Sequence, residues 1–189
     1  MRRALYQSRI LIKNIMAQGF IDGTHGWDEW EKWPEAVDEW ETLPVNGWKE
    51  IEEAVRASGR ELVECGSDGA CFFHSVVRVL EHRLTDVELR NHVVLYMQMH
   101  IDSIKARNGD RDDRNKTWEQ HIEELSHPKA WVHDQEEIQA TAQIIGRNIM
   151  CIQFINGVVV PSPIGKAFDN EADLSILIAR HNDHYKAVM

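Results

Sequence analysis

The sequence predicts an α+β domain, with helices first and a small sheet last. Three observations predict it. From residue 46 to about 146, apolar residues recur at helical spacing, and the segments begin or end on capping and glycine signals. From Ile149 onward the period changes to short runs of β-branched residues. The chain has 189 residues, 43% hydrophobic and 28% charged, enough for one domain with a sizeable core. Helices followed by strands imply a sheet covered on one or both faces.

The elements follow in order. Residues 1–45 read as a Trp-rich, acidic N-terminal helical extension and 46–189 as the compact domain. The first twenty residues carry Arg2, Arg3, Arg9 and Lys13 and no acid. Their apolar residues are loosely helical in spacing. A short helix packed on the domain or on a partner is favoured over a targeting segment. Residues 21–48 hold five of the seven tryptophans, interleaved with acids. Trp27, Trp30 and Trp33 would share a helix face. Covering a core edge is favoured for these aromatics over forming a protein interface. Residues 47–57 form a helix with Ile51, Ala54 and Val55 as its stripe and Gly59 just past its end. Residues 61–65 alternate like a half-buried strand.

A turn, Gly66-Ser67-Asp68-Gly69-Ala70, leads into an apolar helix from Cys71 to Leu80. Thr85 and Glu88 form a capping box for a helix running to about 106. Residues 107–116 are a charged, solvated loop. Further helices fit at 117–126 and 135–146. Strands fit at Ile149–Ile155, Val158–Val160, Leu174–Ala179 and His184–Val188.

Composition narrows the function classes. A net charge of −10 disfavours nucleic acid as a partner and suits a basic one. No apolar run approaches the roughly 20 residues of a membrane span, and no secretory signal is evident. Cys65, Cys71 and Cys151 are odd in number and form no CxxC pair, which favours free thiols in a reducing compartment.

Cys71 is the sharpest chemical feature. A thiol opening a helix lies near the positive end of the dipole and near unpaired N–H groups. Such placement lowers a thiol's pKa, and the same N–H groups can hold an oxyanion. Gly69 leaves room for a substrate backbone. By position alone, a buried structural cysteine is the commoner case. A nucleophilic cysteine also needs a base. Of ten histidines, His82, His92, His100, His121, His127 and His133 read as surface residues, His25 lies in the Trp-rich extension, and His74 reads as orienting or packing on the Cys71 helix. His181 and His184 sit where a loop enters the last strand, a rigid place to present a base. His181-x-x-His184 lacks the other half of a zinc site, so no metal is expected.

Four segments in order then resemble a family. Asp68-Gly69-Ala70-Cys71-Phe72-Phe73-His74-Ser75 resembles the nucleophile motif of the ovarian-tumour (OTU) cysteine deubiquitinases, in a form close to viral members. Leu89-Arg90 with Val93, Val94 and Tyr96 fits the following helix. Trp131 and Glu137-Ile138-Gln139-Ala140 with Ala142 resemble the family's middle segment. His184-Tyr185 resembles its histidine–aromatic motif.

The resemblance covers about residues 60–189. It implies a papain-type cysteine protease domain, with a small central sheet flanked by helices. The implied activity is cleavage of isopeptide or peptide bonds after the C-terminal glycine of ubiquitin. The implied partner is ubiquitin or polyubiquitin, with no cofactor, in the cytoplasm or, for a viral or bacterial effector, the host cytosol. Cys71 would be the nucleophile and His184 its base. N–H groups of the turn Asp68, Gly69, Ala70 and Cys71 would hold the oxyanion, with Asp68 shaping the turn. Trp131 or Tyr185 would border the channel for the substrate's tail.

One position departs from the family's pattern. Where an Asp or Asn often follows the histidine by two residues, this chain has Lys186, which accepts no hydrogen bond. Asn182 ranks first as a replacement, ahead of a Cys–His dyad or a distant acid, for instance within 21–48, and of Asp183. The departure also leaves open a weak or inactive ubiquitin-binding module. A protease for a ubiquitin-like modifier or a viral polyprotein is a further alternative.

Overall fold

The computed structural model describes residues 47–189 apart from 67, 82, 113, 133–134 and 168–174. The basic start, the extension 1–45 and four of the tryptophans in 21–48 lie outside the described residues, as does Leu174.

Six helices and five strands are described. They are α1 (Gly47–Ala57), β1 (Leu62–Val63), α2 (Cys71–Val79), α3 (Asp86–Met99), α4 (Ile101–Asn108), α5 (Trp118–Leu125), α6 (Gln135–Ile145), β2 (Asn148–Ile155), β3 (Val158–Gly165), β4 (Ser175–His181) and β5 (His184–Val188). The strands form one mixed sheet in the order β1-β5-β4-β2-β3. β2 and β4 run parallel, and the other neighbours are antiparallel.

The two-residue period of the strands explains why the sheet is covered on both faces. Ile149 and Cys151 of β2, Ile176 and Ile178 of β4, and Tyr185 of β5 join a core with α2, α3, α5 and α6. Their neighbours Met150, Ile152, Leu177, Ala179 and Val188 point the other way and pack on Ile51, Ala54 and Val55 of α1. The α1 stripe is the one its spacing predicts.

Two departures from the sequence reading have local causes. The helix expected to run to about 106 breaks at His100 (φ −113°, ψ 15°), and α4 begins at the next residue. There His100 Nδ1 hydrogen-bonds the Tyr96 carbonyl at 2.8 Å and the ring stacks on Tyr96, so the side chain takes over part of the helix end's bonding. β3 continues past Val160 through Pro161 and Pro163 to Gly165. Prolines are tolerated because β3 is the edge strand among the described residues, where N–H groups on one side have no described ladder partner.

Candidate active site

The start of α2 is built against two other segments. In the turn before it, Asp68 accepts from the Ala70 N–H at 3.2 Å through its carboxylate, and from the Cys71 N–H at 3.2 Å through its carbonyl. Both bonds close within the turn. Asp68 also occupies two of the N–H groups that the sequence offered to an oxyanion, so a substrate would compete with Asp68 for them. Gly69 is buried, and the backbone it makes room for is the protein's own. A Cβ there would overlap the Lys129 carbonyl oxygen and come within 2.7 Å of its carbon. Arg90 holds that opposing segment. Its Nη1 donates to the carbonyls of Leu125 (3.1 Å) and Ala130 (3.0 Å), and its guanidinium lies over the Phe73 ring.

Cys71 is 1% exposed. Its thiol lies 3.8 Å from the carbonyl of Asp183, the residue before His184. Burial pushes the thiol above its ordinary pKa. Backbone hydrogen bonds from Tyr185 and Phe72 oppose that rise, and the Asp68 charge adds to it. The sequence reading, which placed the thiol at a helix start, expects the opposite direction. Burial and the nearby carboxylate outweigh the helix terminus.

His184 opens β5 and is half-buried. Its Nε2 lies 2.7 Å from Oε1 of Glu64, just past β1. The other oxygen of Glu64 is 3.0 Å from Lys186 Nζ, and that ammonium sits 4.4 Å from the centroid of the Trp48 ring. Trp48, from α1, also meets the His184 ring edge-on at 5.7 Å and the His181 ring at 5.9 Å. Burial raises the Glu64 carboxyl's pKa, but hydrogen bonds from Lys186 and His184 outweigh it and leave the group below its ordinary value.

Among the described residues, the polar partner of His184 is thus Glu64, not Asn182; a distant acid within 21–46 would lie outside them. β5 begins only at His184, so strand alternation does not reach back to 182. Asn182 lies in the tight turn between β4 and β5 with φ 54°, a left-handed conformation that Asn tolerates, and its carbonyl accepts from Arg180 Nε at 2.8 Å. Asp183 is exposed and lies 3.6 Å from Arg180 Nη2. No sequence signal marked Glu64, which reads as the outward residue of a half-buried strand. Alternation also separates His184 from Tyr185. Tyr185 is 2% exposed and packs its ring on Phe72 in the core. Trp131 is 39% exposed and remains available to border a channel.

A second polar cluster was also missed. His121, read as a surface residue, is fully buried. Its Nδ1 lies 2.7 Å from Asp112 Oδ2, and Glu137 Oε1 lies 2.8 Å from Nε2, off the line of a hydrogen bond.

Comparison with known proteins agrees with this fold. The OTU domain of OTUD1 superposes with a TM-score of 0.63 at 20% identity, covering 76% of this chain and 94% of that one. An OTU deubiquitinase from Wolbachia pipientis wMel bound to ubiquitin gives 0.53 at 14% identity, covering 69% and 95%. The viral OTU domain protease from Farallon virus gives 0.52 at 15%, covering 69% and 83%. No curated protein matches the chain. The family model described as OTU-like cysteine protease matches residues 66–184, well over half the chain. With the fold and that match in agreement, the chain belongs to the OTU-like cysteine proteases.

Proposed function

We propose that this protein is a thiol-dependent hydrolase that cleaves isopeptide or peptide bonds after the C-terminal glycine of ubiquitin. The observation that carries the reading is the seating of the Cys71 thiol against the turn that delivers His184. The ubiquitin complexes formed by similar OTU domains support the choice of substrate.

The chemistry follows from the side chains. Glu64 occupies Nε2 of His184, which leaves Nδ1 to exchange a proton with the thiol. Cys71 Sγ attacks the scissile carbonyl as His184 takes the thiol proton. His184 then gives that proton to the departing amine, leaving a thioester on Cys71. Water, deprotonated by His184, opens the thioester, and the released thiolate recovers its proton from His184. Burial holds the thiol above its ordinary pKa, so His184 is needed to take its proton as it attacks. The N–H groups of the 68–71 turn support the oxyanion once they release Asp68, and Trp131 borders the substrate's tail.

A second reading, a ubiquitin-binding module without turnover, draws on one observation. Burial and the Asp68 charge both raise the thiol's pKa, against the lowering effect of backbone hydrogen bonds from Tyr185 and Phe72. A ubiquitin probe with a C-terminal electrophile separates the two. Wild type is expected to label and Cys71→Ala to remain unlabelled. Folded wild type that binds ubiquitin without labelling would favour the second reading. Labelling of Cys71→Ala would remove Cys71 from the mechanism. Probes built on ubiquitin-like modifiers, run in parallel, identify the preferred substrate.

A further inference from the structure

Three residues around His184 lie outside the segment 66–184 that the family model matches. They are Trp48, Glu64 and Lys186. They come from α1, the end of β1 and β5, and they meet at one imidazole. Glu64 Oε1 is 2.7 Å from His184 Nε2, and Glu64 Oε2 is 3.0 Å from Lys186 Nζ. Lys186 is fixed from its other side by the Trp48 ring at 4.4 Å, and the same ring lies edge-on to His184 at 5.7 Å. Resting on the hydrolase reading of Cys71 and His184, we infer that Glu64 is the positioning residue for His184 and that Lys186 acts through it, holding the carboxylate in place.

Charge and geometry both favour this. An imidazole that accepts a thiol proton becomes a cation, and a carboxylate on its far nitrogen stabilises that cation and fixes the ring plane. A glutamate side chain has three rotatable bonds and is costly to hold still. The Glu64 side chain is 55% exposed, so burial does little to hold it. Lys186, at 20% side-chain exposure and seated on an indole face, supplies the missing anchor. The lysine that breaks the expected pattern two residues after His184 therefore has a use. It cannot orient the imidazole itself, and it secures the group that does.

The test compares Glu64→Ala, Glu64→Gln, Lys186→Met, Glu64→Ala/Lys186→Met, Asn182→Ala and His184→Ala with wild type, each confirmed as folded by its melting transition. Two rates are measured. One is iodoacetamide alkylation read at the Cys71 peptide by mass spectrometry, which needs no ubiquitin. The other is cleavage of a ubiquitin C-terminal fluorogenic substrate. Glu64→Ala is expected to lower kcat about 100-fold with KM nearly unchanged, and to slow alkylation as His184→Ala does. Glu64→Gln, which keeps an acceptor oxygen, should recover about tenfold of that loss. Lys186→Met should lower kcat about tenfold in the wild-type background and have no further effect beside Glu64→Ala.

Wild-type alkylation in Glu64→Ala, while His184→Ala is slow, overturns the inference and leaves the hydrolase reading standing. Wild-type alkylation in His184→Ala as well overturns the pairing of Cys71 with His184 instead. An equal loss on adding Lys186→Met to either background shows that Lys186 does not act through Glu64. Loss of alkylation in Asn182→Ala but not in Glu64→Ala returns the role to Asn182.

Discussion

Gly69 shows how narrowly single residues are constrained around the nucleophile. Its backbone meets that of Lys129 and Ala130 with no space for a side chain. Gly69→Ala is expected to force the two segments apart, at a cost on the order of 1–3 kcal/mol. Displacing the turn that presents Cys71 should also lower probe labelling by more than tenfold, since misplacement by about 1 Å can cost 10²-fold. Thermal melting and labelling measured on the same sample check this, and wild-type labelling with an unchanged melting temperature would contradict it. At this scale the sequence was informative where chemistry is local. Cys71 and His184 stand out by motif, and Asp68 acts on the turn it belongs to. Glu64 was not legible, because its role depends on β1 pairing with the far end of the chain. The burial of Tyr185 was not legible, because the face a strand residue occupies depends on the layer packed against it.

Among the elements, α5 and α6 are locked by the buried group His121 with Asp112 and Glu137. Arg114 also reaches Asp112 at 3.3 Å. Burial alone would lower the His121 pKa. Contacts with Glu137 and Asp112 outweigh it and hold the imidazole above its ordinary value, with the Arg114 charge opposing. For Asp112, burial raises the carboxyl, while bonds from His121 and the Lys116 N–H outweigh it and hold the group low. The raised base contributes stability that is full below its unfolded value of about 6.5 and is lost as pH climbs through the higher folded one. The depressed acid contributes stability that is full above about 3.9 and is lost as pH falls through the lower folded one. The melting temperature should therefore be highest between about pH 4 and 6.5 from this cluster, and should decline as pH rises beyond that window. His121→Gln should melt lower, by on the order of 3 kcal/mol in stability, and lose the decline on the basic side. Equal basic-side slopes in both proteins would remove the cluster from the account. Helix boundaries were mostly legible, since signals such as the capping box at Thr85 are local bonds; a second box at Thr117 opens α5. The His100 break was not, because it turns on a side-chain contact that spacing does not encode.

For the whole molecule, the architecture followed from the change of period along the chain. The sheet order did not, because strand pairing between distant segments leaves no periodic trace. The net charge of −10 bears on association more than on fold. If steering of a basic substrate surface matters, raising salt from about 0.05 M to 0.5 M should lower kcat/KM severalfold with kcat unchanged. A salt-independent kcat/KM would show that the charge serves solubility alone. No helix among the described residues is long and apolar enough to cross a membrane.

The edge strand β1 has two residues, Leu62 and Val63, paired with Val188 and Ala187, and Glu61 and Met189 exchange backbone bonds beside them. So short an edge opens locally at little free energy, far below that of melting the core. Each opening carries Glu64 away from His184 while leaving Cys71 seated. On the role inferred for Glu64, fraying at that edge would lower the fraction of molecules ready for proton transfer. Warming would thin that population well before the fold itself gives way.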